Sequence, residues 1–213
     1  MGCTDWVPAM PRYWSAVFLP TLAASAVRPH DYLTWLLEAL PAVAVFGALL
    51  ATRRRLPLTP LSYALLLVLC LLVLAGAHYS FAHVPPFEWL RPYLRPGRND
   101  FDKLAHLFQG LAPAVVFREL LVRGAVVRRD GWLNPIALGL TLALSAAYEL
   151  LEWLTAQLLG DAARDFLALQ GDPWDAQSDM TFALLGAATA TTLLSRWHDR
   201  QLAATGSGRS GRR

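Results

Sequence analysis

Five stretches of this chain, approximately 31–51, 61–80, 104–122, 133–156 and 177–195, are apolar for lengths that meet or approach a bilayer crossing. Crossing about 30 Å of hydrocarbon takes roughly 20 residues at about 1.5 Å per residue. Inside lipid every backbone N–H and C=O must find a partner within its own segment, so each such run has to be a helix. A sixth run, from Tyr13 to Val27, is shorter and starts behind Arg12. A cleaved signal peptide is the alternative there, but no clear small-x-small site precedes a soluble domain and further spans follow, so the run reads as an uncleaved first span. With 55% hydrophobic and 16% charged residues in 213, the chain is too apolar for an ordinary soluble domain and too short for several. The expectation is an all-α, polytopic transmembrane bundle of about six spans. Residues 1–202 form its one domain, and 203–213 form a disordered basic tail.

Arginine fixes the orientation, because Lys and Arg near span ends stay on the cytoplasmic side. Arg53, Arg54 and Arg55 share one loop, Arg118, Arg123, Arg128 and Arg129 surround another, and Arg196, Arg200, Arg209, Arg212 and Arg213 follow the last span. Threading six spans puts all three clusters and both termini on the same side, N-in and C-in. The net charge of +3 is therefore a topology signal and gives no support to nucleic acid, which calls for a basic groove with exposed aromatics. Cys3 and Cys70 are separated by most of a bilayer in this scheme, so no disulfide follows. Met-Gly-Cys at the start fails the myristoylation pattern at Trp6.

On the opposite side lie a tight turn at 28–30, a longer loop at 81–103 and an acidic loop at 157–176 with Asp161, Asp165, Asp172 and Asp175. The 81–103 loop contains "PPFEWLRPYLRPGRNDFDK", whose prolines break helix and whose aromatics suit the headgroup zone. A plain interfacial re-entry loop is the expectation.

A charge at mid-bilayer costs on the order of 2.5–3.5 kcal/mol on insertion scales, so intramembrane acids ask for a reason. Glu38, His78, Asp102, Lys103, His106, Glu149, Glu152, Asp175 and Asp179 are dispersed over more than a hundred positions, yet the threading places all of them within two or three turns of the outer surface. Residues three or four apart share a helix face. Asp102, His106 and Gln109 make one polar stripe that Pro113 continues. Thr141, Ser145, Glu149 and Glu152 make a second, flanked by Tyr148. Asp175 and Asp179 make a third, continued inward by Ala183, Gly186, Ala187 and Ala190, small enough for close backbone approach. Three stripes that must avoid lipid face one another, and the expectation is an outward-facing polar pocket.

Other roles suit some of these residues. Asp102, Asp175 or Asp179 can serve a helix start, where an acid meets the positive dipole end. Glu149 and Glu152 can pair structurally with His106 or an arginine, Glu38 can pair with His78 or reach the surface, and His83 suits a loop. Most of the eight tryptophans suit the membrane interface, with Trp153 and Trp174 able to wall the pocket.

At "DKLAHLFQG", "YELLEW" and "QGDPWDAQSDM" the chain resembles the YjdF-like family of bacterial inner-membrane proteins, and the likeness covers most of residues 28–202. The resemblance implies a multi-pass helical protein of the bacterial inner (plasma) membrane and transfers no established activity. A more distant resemblance is to the VanZ-like membrane proteins, associated with resistance to glycopeptide antibiotics. It aligns Asp102, Lys103 and His106, then Glu149 or Glu152, then Asp179 with Gly186. The pattern departs at Ala183, where those proteins prefer asparagine, and it implies only an outer-face polar site linked to the cell envelope.

Two functions follow. One is an enzyme acting at the outer leaflet on a lipid or lipid-linked envelope substrate. Glu149, Glu152, His106 and Asp102 are its catalytic candidates, and Lys103, Gln109, Tyr148, Trp174, Asp175, His78 and Glu38 its binding candidates. His106, Glu149, Glu152 and Asp179 offer mixed N/O ligation to a divalent metal such as zinc or manganese. The other is a non-enzymatic small transporter or an accessory membrane protein, since intramembrane acids and histidines also build proton relays. Candidates confined to the outer half favour binding or chemistry at that face over transport.

Overall fold

The computed structural model describes residues 10–94, 97–129, 131–160 and 170–206, and its described residues contain helices and no strands. In chain order the helices are α1 (Arg12–Ser25), α2 (Tyr32–Thr52), α3 (Pro60–Tyr79), α4 (Pro85–Leu94), α5 (Phe101–Arg123), α6 (Leu133–Leu159), α7 (Asp175–Thr189) and α8 (Ser195–Gly206). Four of them, α2, α3, α5 and α6, are by themselves long and apolar enough to cross a membrane. The expected spans at 13–27 and 177–195 are present as helices but shorter: α1 has 14 residues and α7 has 15. A π-helical turn, Ala190–Leu194, joins α7 to α8 without a break, so the last rod is long enough as a whole. Asn134 donates to the Thr191 carbonyl at 3.0 Å within that turn, drawing one backbone acceptor sideways. The helix runs to Gly206, so the start of the expected tail is helical; residues 207–213 lie outside the described residues.

Local chemistry sets the boundaries. Asp31 caps α2 by accepting from the Thr34 N–H at 2.7 Å. Thr59 precedes α3, whose first residue is Pro60, a position where the missing N–H costs nothing. α3 ends at Ser80 in a left-handed conformation, φ 56°, and Phe81 N–H closes onto the Gly76 carbonyl at 2.8 Å. The Phe81 ring lies against Gly76 where any Cβ would stand.

α5 is the central rod, packed against α3, α6 and α7, while α1 and α2 pack on α3. The α5–α7 seam is the tightest: a Cβ on Gly110 would collide with the Ala183 carbonyl, and one on Gly186 with the Leu107 carbonyl. Ala183, Ala187 and Ala190 are fully buried along it, as the small-residue stripe predicts. Trp14 anchors α1, fully buried, donating its Nε1–H to the Tyr63 carbonyl at 2.9 Å and stacked on Phe46.

The bundle has two chemically distinct ends. At one, Arg123 bonds the Pro57 carbonyl, Arg118 reaches Asp199 at 3.2 Å, and Gln201 accepts from Leu61 N–H at 3.0 Å, gathering the arginine-bearing connections. At the other, His30 N–H donates to the His78 carbonyl at 2.9 Å and Asn99 N–H to Gln170 Oε1 at 2.7 Å. The expectation for 81–103 is corrected here: the proline-rich stretch forms the ten-residue helix α4. Pro85 and Pro86 stand in its first turn, where proline lacks only an N–H that would have no helical partner. Trp89 and Tyr93 project outward from it.

Candidate acidic cavity at the outer end

The dispersed acids converge. α5 enters the bundle carrying Asp102, Lys103 and His106 on its first two turns, and α7 starts beside it with Asp175 and Asp179. Lys103 Nζ lies 2.6 Å from Asp179 Oδ1, 2.7 Å from Asp175 Oδ1 and 3.4 Å from Asp102 Oδ2. Arg98 pairs with Asp175, with Asp102 at 3.3 Å, with Asp100 at 3.5 Å and with Asp172 at 3.7 Å. All the side chains of the Lys103 knot are at least nine-tenths buried. Burial of this many charges is tolerable only because each aspartate has a cation at hand.

His106 sits one turn deeper, Nε2 facing Asp102 at 3.3 Å and Asp179 at 3.8 Å, and Nδ1 facing Glu149 Oε1 at 4.0 Å. Neither His106 Nδ1 nor Glu149 Oε1 has a hydrogen-bond partner among the described residues, and the same holds for Gln109 Oε1 and Ser145 Oγ. Glu38, buried in α2, accepts from the Tyr148 hydroxyl at 3.4 Å.

A cavity of about 220 Å³ opens onto this layer. Glu38, Asp102, His106, Gln109, Tyr148, Glu152, Asp175 and Asp179 line it together with Phe81 and Ala105, while Pro41, Val45, Leu66, Leu69, Val73, Pro113 and Leu144 line its apolar shaft. From Glu38 to Val45 is seven residues along α2, a depth of about 10 Å. The shaft lies between α2 and α6: α2 packs on α3 and α6 on α5 and α7, and Tyr148 to Glu38 bridges the two. Leu144 of α6 lines the cavity and is 43% exposed.

Most of the expected site residues meet here: Asp102, Lys103, His106, Gln109, Glu149, Glu152, Asp175, Asp179, Tyr148 and Glu38. Two do not. His78 turns away, its Nδ1 against the Ser25 carbonyl at 2.9 Å, because the left-handed turn at Ser80 closes that end of α3 against the 26–30 turn. Glu38 therefore pairs with Tyr148 and not with His78. Trp174 is 68% exposed just ahead of α7 and lines no part of the cavity; Trp153, 58% exposed, faces outward as well. Asp161 and Asp165 lie outside the described residues.

For a metal, the ligand atoms of Asp102, His106 and Asp179 all fall within 4.8 Å of one another. Glu149 reaches only the far nitrogen of His106, and Glu152 lies on the cavity wall. Lys103 already supplies positive charge to two of those three ligands, so a divalent ion would have to displace it or sit beside it against repulsion.

Sequence reasoning missed Arg98, the second cation of the knot, because the proline run around it reads as a plain loop. Its neighbour Asn99 holds that loop in place, donating to the Val84 carbonyl at 3.1 Å and to Glu88 Oε1 at 2.9 Å. A second polar knot also went unseen at the arginine end. Glu119, fully buried, accepts from Thr59 N–H at 2.9 Å and from the Thr59 and Ser62 hydroxyls at 2.9 and 2.6 Å, with Arg123 at 3.1 Å and His198 at 3.6 Å. Nothing in the spacing of residues so far apart announces that contact.

Residues 10–200 match the model of the family described as "Predicted membrane protein (DUF2238)". The chain belongs to this family. The inner membrane protein YjdF of Escherichia coli (strain K12) is 48% identical over 181 residues, 85% of this chain and 87% of the relative. No solved structure matches the chain. The protein is thus a multi-pass inner-membrane protein of the YjdF kind, as its motifs imply.

Proposed function

We infer that this protein binds an amphipathic lipid or lipid-linked envelope molecule in its outer-end cavity. The head of that molecule meets the acids and His106, and its chain lies in the shaft. The observation that carries the reading is one cavity whose wall joins a group of acids to an aliphatic stretch, with the exposed Leu144 on that stretch. Glu152 and His106 line the cavity, and this reading gives them proton exchange with the bound head group. Transport across the membrane is less well supported, because Glu119 and its partners close the arginine end with a fully buried, fully bonded carboxylate.

Native mass spectrometry of the detergent-purified protein tests this. A copurifying amphipath is expected on the wild type and lost from Leu69→Trp, whose indole fills the shaft, with helicity retained by circular dichroism. A wild type that carries none, or a Leu69→Trp variant that carries the same molecule, overturns the reading.

A further inference from the structure

The charges around the cavity do not balance, and the imbalance has a location. Lys103 and Arg98 stand on the α7 side, against Asp102, Asp175 and Asp179. The carboxylates of α2 and α6, Glu38, Glu149 and Glu152, have no lysine or arginine within ion-pair distance among the described residues. Their described polar neighbours are Tyr148 and His106. Glu38 and Glu152 line the cavity, and so does Gln109, whose Oε1 has no hydrogen-bond partner among the described residues. Unsatisfied buried acceptors in native proteins ask for a partner that brings donors.

We propose that the cavity selects an amphipath whose head is a primary ammonium, held by Gln109, Glu38 and Glu152 with its alkyl chain in the shaft. The proposal rests on the cavity reading above and names the chemistry of the head. An ammonium brings three N–H donors and no acceptor, matching the Gln109 amide oxygen and the Glu38 and Glu152 carboxylates on the cavity wall. A phosphate or carboxylate head is excluded by the surplus of acids, since both cations of the layer are already paired. A bare divalent ion accounts for neither the shaft nor the position of Lys103.

The test uses the full chain in an uncharged maltoside detergent, reading the unfolding temperature against added dodecylammonium, dodecyl phosphate and dodecanol. Dodecylammonium alone is expected to stabilise the wild type. Its apparent affinity is expected to fall about tenfold or more in Gln109→Leu and Glu152→Gln, the loss of a charge-assisted hydrogen bond. Gln109→Lys carries its own ammonium into the site, so this variant should unfold at a higher temperature than the wild type and lose its response, a result that misfolding cannot imitate. A matching response to a lyso-phosphatidylethanolamine places the amine on a phospholipid head; a response to dodecylammonium alone places it on a simpler amine. Dodecanol acting as well as dodecylammonium, with both lost in Leu69→Trp, overturns the head-group assignment and leaves the cavity reading standing. No response to any probe overturns both. Zinc or manganese stabilising the wild type where dodecylammonium does not overturns the ammonium in favour of a metal.

Discussion

Replacing Lys103 by methionine removes the cation of the α5–α7 seam while keeping the length of its side chain. Its Nζ is 2.6 and 2.7 Å from two aspartates that are 4% and 5% exposed, so no solvent screening discounts the loss. Each contact at an effective dielectric of about 20 is worth roughly 6 kcal/mol before desolvation. The penalty has a ceiling, because one aspartate can take up a proton instead. From an ordinary value of about 3.9, that costs about 4 kcal/mol at pH 7. Arg98 remains to shield Asp175 and Asp102, so a destabilisation of about 3–5 kcal/mol is expected, in line with breaking a buried pair from one side. Thermal unfolding of the purified protein, run as a double-mutant cycle with Asp179→Leu, measures it. The double variant should recover more than half of the single-variant loss, since it no longer leaves Asp179 without Lys103. The destabilisation should also shrink on acidification from pH 7 to 5 by about 1.4 kcal/mol per unit, because the rescuing proton becomes cheaper. A Lys103→Met variant within about 0.5 kcal/mol of the wild type, the scatter of ordinary surface changes, would show that Lys103 does not hold the seam.

Gly186→Leu should abolish folded yield or cost more than about 3 kcal/mol, because its side chain meets the Leu107 backbone, whereas Gly139→Ala, with open space around it, should be neutral or gain up to about 1 kcal/mol. Glu119→Ala should cost about 3–5 kcal/mol in thermal unfolding by stranding Thr59, Ser62 and Arg123, and should leave binding in the outer cavity unchanged. Outside the spans, the Asn99 amide holds the Glu88 carboxyl below its ordinary range. A lowered folded pKa gives stability that is full above the unfolded value and lost as pH falls through the folded one. Asn99→Ala should therefore raise hydrogen exchange in α4 at pH 7, and the difference from wild type should narrow as acid protonates Glu88.

How far the sequence carries depends on the range of each interaction. Helix faces repeat every three or four residues, so the stripes of Asp102, His106 and Gln109, of Thr141, Ser145 and Glu149, and of Asp175 and Asp179 were legible, and threading alone brought them to one level. The small-residue seam was legible for the same reason: lipid supplies no hydrophobic drive between helices, so close packing has to be written in Gly and Ala. What was not legible depends on turns and on distant pairings. The Ser80 turn, which diverts His78, is a left-handed residue that no glycine announces. Arg98 sits behind prolines that can end a helix or begin one, and here they begin α4. Glu119 finds Thr59 across 60 residues, a contact that only the packed α3–α5 pair creates. The shaft is built from leucines and valines that would look the same facing lipid.

Acids scattered through the chain meet on one cavity wall, and the sign of its field can be read from the periplasm. Cysteine placed at Gln109, with Cys3 and Cys70 replaced, can be titrated in intact cells with impermeant thiosulfonates that differ only in charge. Modification is expected from the periplasmic side, with the cationic reagent faster than the anionic one by at least about tenfold, as for a focused field in a cleft of one sign. Modification only after the cytoplasmic face is opened, or equal rates for the two reagents, would contradict it.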